Sequence, residues 1–530
     1  MSAFVSISTL RLAPIALSLL AFANGASAQP APAAPAAPPA PAAPPAPTEP
    51  AAGDTDEPVV RELPGQTSDT ESVLSPVAGG LTADQVARRT VANSATVRAK
   101  LAEVEAAKAK VTQTAVQFFP RVTLKATYTR LSPVSSGFGS GALVGAGNPG
   151  VLTVGTCPGG VGQCVLDSQG QPVGAAAFSI ESLQNNYALQ AQLAVPISDY
   201  VTRLNSAIAG SQAGKRAATL AHQAERLKVQ SDARTLFYTW VLAKGQVSVA
   251  GKSLARVQAR QKDADAAFSL GTISKADLMR LEALVANTEL AVKEAEVFEK
   301  LSRDRLSIVM GDKSPQQHQI GENVLAPAPA GVQGSMTQLV NEALSRRLEL
   351  KALQASTSAL NHGASAASAG RWPRLDAFAE ITYANPNQRY FPPAQRWDST
   401  WSMGLAATWT LNDVFGGAAS SNELEATARS VEAQRSALSD GIRQEVLAAY
   451  LDREKSRVAV QTSARAVKAA QEAYRVAADL YRVGRATTTE LIDAESDLLQ
   501  ARLGVLSANV GLRIAEARLH HAVGRDVNGS

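Results

Sequence analysis

The sequence predicts a mostly α-helical protein with a membrane β-barrel portion, assembled from one unit used twice in the order helix, strand, strand, long helix, helix. Three observations predict it. Residues 271–311 recur at 484–524 without a gap, at a constant offset of 213 positions. Four short segments alternate apolar and polar side chains, two in each unit. Between the strands and the repeated segments run very long stretches of helical periodicity. Self-similarity over this length marks a duplicated architecture.

The two copies read GTISKADLMRLEALVANTELAVKEAEVFEKLSRDRLSIVMG and GRATTTELIDAESDLLQARLGVLSANVGLRIAEARLHHAVG. Asp277 falls on Glu490, Leu278 on Leu491, Glu282 on Glu495, Arg305 on Arg518 and Leu306 on Leu519. Each copy opens on a turn glycine, Gly271 or Gly484, and closes on Gly311 or Gly524. A helix between two glycines is the expected reading, because glycine supplies the left-handed conformation that ends a helix.

From the N-terminus, Arg11, an apolar run Leu12–Phe22 and Ala-Ser-Ala before Gln29 predict a signal peptide over 1–28, cleaved at about Ala28. Gln29, and not a cysteine, directly follows that point, so no lipid anchor is expected. Residues 29–80 are Ala/Pro-rich and then acidic, and predict a disordered linker. The first unit spans 81–312, an inter-repeat linker 313–335 and the second unit 336–526.

In the first unit a helix capped by Thr82 ahead of Gln85 runs to about Gln117, and Phe119-Pro120 stops it. Val122, Leu124, Ala126 and Tyr128 then alternate with Thr123, Lys125 and Thr127, the period of a strand with two unlike faces. After a Gly-rich loop, Tyr187, Leu189, Ala191, Leu193 and Val195 form its partner, with Gln190 and Gln192 opposite. Residues 199 to about 270 read as one helix of about 105 Å. Its seam is Val229, Ala233, Leu236, Trp240, Ala243, Val247, Ala250, Leu254 and Val257 at 4-3 spacing.

The second unit repeats this: a helix over about 336–368, Trp372-Pro373, two strands, a helix over about 414–481, then the second copy. The strands are Leu375, Ala377, Ala379, Ile381, Tyr383 and Trp401, Met403, Leu405, Ala407, Trp409. The first hairpin loop is 39 residues longer than the second and holds Cys157 and Cys164. In an exported chain that spacing predicts a disulfide; a metal pair would lack its remaining ligands.

Strands of about nine residues with one apolar face suit an outer-membrane barrel, and Tyr128, Tyr187, Tyr383, Trp401 and Trp409 stand where interfacial aromatics belong. Two hairpins cannot close a barrel, and open edges are not tolerated in hydrocarbon, so several chains must share one. Outside the leader there is no apolar run long enough for a membrane helix. The formal net charge of +4 gives no support for nucleic-acid binding. No nucleophile elbow, P-loop, dinucleotide fingerprint or HExxH occurs. The adjacent His520 and His521 cannot share a helix face, and no enzyme, cofactor or metal site is expected.

The segments FFPRVTLKATYTR at 118–130 and RWPRLDAFAEITY at 371–383, the strand-to-helix junctions at Asp199 and Asp413, and the two repeated tips resemble the TolC family of outer-membrane efflux proteins. The resemblance spans about residues 81–525. It implies a homotrimer whose twelve-stranded outer-membrane barrel continues into a periplasmic α-helical barrel. It also implies a periplasmic adaptor and an inner-membrane pump as partners. By position, Glu490 and Asp493 match the family's acidic gate rings, and Asp277 and Tyr481 match residues that latch the closed gate. Arg485 stands beside Ala486, which occupies the position of the family's latch arginine. Gly271 and Gly484 would be the adaptor-facing turns. A periplasmic coiled-coil adaptor, which also carries long heptad helices, is the competing reading.

Overall fold

Thr82 and Gln85 form a reciprocal capping box that starts α1 (Ala83–Asn93), and the Ser94 hydroxyl caps α2 (Ala95–Val116). The first predicted helix is therefore two helices, broken at Ser94. The second unit breaks at the equivalent residue, Arg347, between α6 (Met336–Arg346) and α7 (Leu348–Ser368). The computed structural model describes residues 74–133, 142–145, 148, 150–177, 183–313, 318–326, 331–391 and 393–525. The predicted signal peptide and residues 29–73 of the predicted linker lie outside the described residues.

The first unit continues with β1 (Arg121–Arg130), the short strands β2 (Ala142–Gly145), β3 (Thr153–Thr156), β4 (Gln163–Leu166) and β5 (Gly174–Ala177), and then β6 (Asn185–Val195). A short α3 (Ile197–Thr202) precedes α4 (Leu204–Ser269), and α5 (Lys275–Met310) returns. After α6 and α7, the second unit has β7 (Arg374–Asn385), β8 (Asp398–Thr408), α8 (Leu411–Arg482) and α9 (Thr488–Val523). The 66 residues of α4 and 72 of α8 reach about 100 Å each. No described helix is long and apolar enough to cross a membrane.

The breaks at 94 and 347 are joints. At the first, α5 ends on left-handed Gly311, and the Asn93 amide donates to the Met310 carbonyl at 2.6 Å. At the second, α9 ends on left-handed Gly524, and Arg347 donates to the His521 and Ala522 carbonyls and to Glu445. Burial alone would lower the Arg347 pKa, but Glu349 and Glu445 hold it above its ordinary value. Each joint lets a tip helix meet a strand-side helix end to end beside one unbroken long helix.

Two apolar clusters sit at these joints. Phe237, Trp240 and Val241 of α4 meet Val86, Leu306, Met310, Ile320, Val324 and Leu506 in one. Leu339, Ile442, Val446 and Leu519 form the other. Of the predicted seam, Ala233, Trp240, Ala243, Ala250 and Val257 are buried, while Val229, Leu236, Val247 and Leu254 are only half-buried. Phe237, Val241 and Val249 are buried beside them because neighbours flank α4 on several sides.

Residues of both linkers touch the folded units. Leu74, in the stretch predicted to be disordered, is 1% exposed and packs in the first cluster. Part of the inter-repeat linker is structural too: Leu81 pairs with Ile320, and Arg513 donates to the carbonyls of Asn323, Val324 and Ala326. Backbone pairing and a buried apolar side chain outweigh the composition of these segments.

The long strands form one antiparallel sheet in the order β1-β6-β7-β8. Four strands do not close, and β1 and β8 are its edges. The two hairpins share one register, since Arg121 opposite Ala194 has its counterpart in Arg374 opposite Thr408.

Candidate functional site

Three regions carry features beyond folding: the helix tips, the sheet, and the junction between sheet and helices. At the tips, Gly271 and Gly484 both adopt φ +73°, which lets each chain reverse after its long helix. Ser274 and Thr487, 213 residues apart, cap the returning helices by accepting the backbone N–H of Asp277 and Glu490. The acidic pair thus shares one local duty. Glu490 accepts the Thr487 N–H at 2.8 Å, completing a capping box. Asp277 accepts from the Ser274 hydroxyl at 2.6 Å and from Arg280 at 3.1 Å. The Ser274 hydrogen bond, then the Arg280 charge, hold the Asp277 carboxyl below its usual range against the opposing effect of burial.

Asp493 lies exposed one turn after Glu490. Within the chain Asp277 bonds neither Tyr481 nor Arg485. The Tyr481 hydroxyl is buried without a hydrogen-bond partner among the described residues, and Arg485 is exposed.

Polar links that join the two hairpins were not singled out from the sequence. Glu495 is 5% exposed; it accepts from the Ser253 hydroxyl at 2.8 Å and from Arg256 at 2.9 Å, both on α4. One turn nearer the tip, Arg260 of α4 bonds Tyr474 of α8. The repeat contains a signal for the first link, since Glu495 matches Glu282. Glu282 is exposed, however, and only the packing of α9 against both α8 and α4 separates the two.

The sheet has two unlike faces. Leu124, Ala191, Ile381 and Trp401 lie side by side across its four strands, as do Val122, Leu193, Ala379 and Met403. The opposite face carries the rows Thr123, Gln192, Glu380, Ser402 and Lys125, Gln190, Thr382, Thr400. Leu124, Trp401, Met403 and Leu405 are each at least 65% exposed, an unusual density of large apolar groups on one face.

Aromatics mark both ends of that face. Tyr128 packs on Tyr187 at 5.0 Å, and Trp397 stacks on Tyr383 at 4.9 Å at the end far from the helices. Trp401 stands near that end, while Trp409 lies one residue past β8 at the helix end. The eight residue steps from Trp401 to Trp409 span about 26 Å, close to the apolar height of an outer-membrane barrel.

Cys157 and Cys164 lie within the insertion between β1 and β6, where β3 and β4 form a ribbon, and are joined as a disulfide with Cα atoms 5.1 Å apart. No group of side chains suited to hold a metal occurs among the described residues.

At the junction, Asp199 is 7% exposed, accepts from Arg203 at 2.8 Å and faces Arg374 at 4.0 Å. Ser198 accepts the Leu375 N–H at 3.0 Å. These contacts stitch the exit of β6 to the start of β7.

Residues 339–525 match the model of the outer membrane efflux protein family. A search of curated proteins finds no match. Among solved structures, the CmeC outer membrane channel of Campylobacter jejuni is similar over 88% of this chain and 93% of its own, with 14% identity and a TM-score of 0.65. A CusC structure, described in terms of folding and transmembrane channel formation, aligns over 83% of this chain and 92% of its own, at 15% identity and a TM-score of 0.65. The open state of the Neisseria gonorrhoeae MtrE outer membrane channel covers 83% and 88%, at 16% identity and a TM-score of 0.62. At such identities the likeness is one of fold. It is the fold of transport proteins rather than of an enzyme family.

Proposed function

We propose, from the match of residues 339–525 to the outer membrane efflux protein model, that the protein is the outer-membrane exit duct of a tripartite efflux or type I secretion system. The observation that carries the proposal is the open sheet: one face apolar and exposed, the other polar, both edges unpaired, and helices of about 100 Å leading away from it. An edge in hydrocarbon leaves N–H and C=O groups unsatisfied at several kcal/mol each. Three chains, each pairing β8 with the β1 of the next, supply twelve strands and no edge. The polar rows then line a water-filled lumen, and the aromatics sit at the two membrane interfaces.

The helices continue the lumen through the periplasm. Their tips, at Gly271 and Gly484, meet a periplasmic adaptor, and an inner-membrane pump supplies the energy. Glu490 and Asp493 form acidic rings near the axis at the tip, which attract cations and narrow the path. Asp277, Tyr481 and Arg485 hold the closed tip through contacts between hairpins. The unpartnered Tyr481 hydroxyl supports this, because a buried hydroxyl left unbonded is unfavourable and a neighbouring chain could satisfy it. The leader exports the chain without lipidation.

Recovery from outer-membrane fractions as a heat-modifiable trimer, with single-channel conductance in planar bilayers, is the expected result. A soluble periplasmic monomer would return the adaptor reading. Neutralising Glu490 and Asp493 together should weaken block of the current by multivalent cations. Unchanged block would remove both from the gate.

A further inference from the structure

The duplication shows how one hairpin binds the next inside the chain, and this contact has no counterpart at the open edges. Inside, β6 pairs with β7 so that Val195 faces Ala377, Leu193 faces Ala379 and Ala191 faces Ile381. The first-unit strand starts map onto the second by 253 positions and the strand exits by 214. Transferring the β6–β7 contact to the open edges therefore places Trp409 opposite Leu124, Ala407 opposite Ala126 and Leu405 opposite Tyr128 of a second copy. An independent constraint agrees. All six residues belong to the exposed apolar face, whereas a slip by one would set apolar against polar throughout.

The same mapping acts on the junction. Asp199 corresponds to Asp413, Arg374 to Arg121, Ser198 to Asn412 and Leu375 to Val122. Inside the chain this set makes the Asp199–Arg374 contact and the Ser198 hydrogen bond. At the edges, Arg121 and Asp413 are both exposed, and neither has an ion-pair partner among the described residues. The local supports differ as well. Arg203, which neutralises Asp199, has Gly417 at its equivalent position, and Asp376, which engages Arg374, has Thr123. Arg121 also borders one cavity with Asp199, Arg203, Arg374 and Asp376; the last four are paired among themselves, which leaves Arg121 as the charge in that lining open to an incoming carboxylate.

We infer that the seam between copies of this chain is set in the register Trp409–Leu124 and is clasped by an ion pair from Asp413 of one copy to Arg121 of the next, with the Asn412 side chain accepting the Val122 N–H. The inference rests on the shared-barrel reading and adds which residues close it. The clasp sits where strand becomes helix, so it also fixes how each helical column leaves the barrel.

Full-length protein purified in detergent provides the test. Wild type migrates as a trimer before heating. Arg121→Glu and Asp413→Arg each reduce trimer survival in warm detergent by roughly threefold per seam, the scale of an exposed ion pair. The double exchange, Arg121→Glu with Asp413→Arg, restores it. A trimeric wild type whose double variant is no better than the two losses combined overturns the clasp and leaves the duct reading standing. A monomeric wild type overturns both. For the register, Ala126→Cys with Ala407→Cys should oxidise to covalent trimers, because directly opposed Cβ atoms lie about 5 Å apart. Cross-linking of Ala407→Cys to Leu124→Cys or Tyr128→Cys instead would overturn the register even if the ion pair is destabilised equally by every substitution.

Discussion

The two tip helices, α5 and α9, have the same length, a hydroxyl N-cap at matching positions and the same terminal glycine, yet their faces meet different surroundings. In α9, Leu491, Ala494, Glu495 and Leu498 are buried between α8 and α4. In α5, Leu281 and Val285 are buried against α4, while Glu282, the partner of Glu495, stands in solvent. One helix is flanked on two sides within the chain and the other on one. Equal sequence patterns thus build equal helices, and the neighbours decide which carboxylate becomes a tie and which stays free. The open flank of α5 is where a second copy would stand in the proposed trimer.

The largest effect expected from this difference comes from cutting the tie. Arg256→Ala leaves Glu495 buried without its cation and should cost about 3 kcal/mol locally. Hydrogen exchange in the tip half of α9 should rise accordingly, while Glu282→Gln leaves α5 unchanged. Equal responses of the two helices would break the comparison.

A smaller and symmetric effect is expected at the turns. Gly271→Ala and Gly484→Ala each force a side chain into φ +73°, at about 1 kcal/mol. Nothing lies within 4 Å of the added Cβ at either glycine, so conformational strain alone acts and both should lower thermal stability alike. A twofold disparity would show that the turns, and not only the helices, sit in unequal surroundings.

The smallest effect is one of pH. The Asp277 carboxyl is held below the ordinary value of 3.8 by Ser274 and Arg280. A depressed folded-state pKa gives stability that is present above the unfolded value and lost as pH falls through the folded one. The first turn of α5 should therefore fray below about pH 4, as read by exchange corrected for its intrinsic pH dependence. Asp277→Asn should fray equally at neutral pH and show no further change in acid.

Much of this was legible in the chain. Duplication, the order of elements, the two faces of each strand, the N-caps and the turn glycines all follow from local rules that need only neighbouring residues. The interhelical ties were not legible. Glu495 and Glu282 occupy the same place in the repeat, and the partners of Glu495, Ser253 and Arg256, lie more than 230 residues away in sequence. The joints at Ser94 and Arg347 were also missed, because helical periodicity runs through both and only the arriving ends of α5 and α9 explain the breaks.

By itself, then, the sequence determined what was built twice: the order of elements, the turn glycines and each strand face are dictated within a few residues by hydrogen bonding and side-chain period. Tertiary structure alone decided what the two copies do differently. Which carboxylate is buried, which linker residues join the core, and which edges and charges remain without a neighbour all depend on contacts between segments hundreds of residues apart, where burial, and not local preference, sets the free energy.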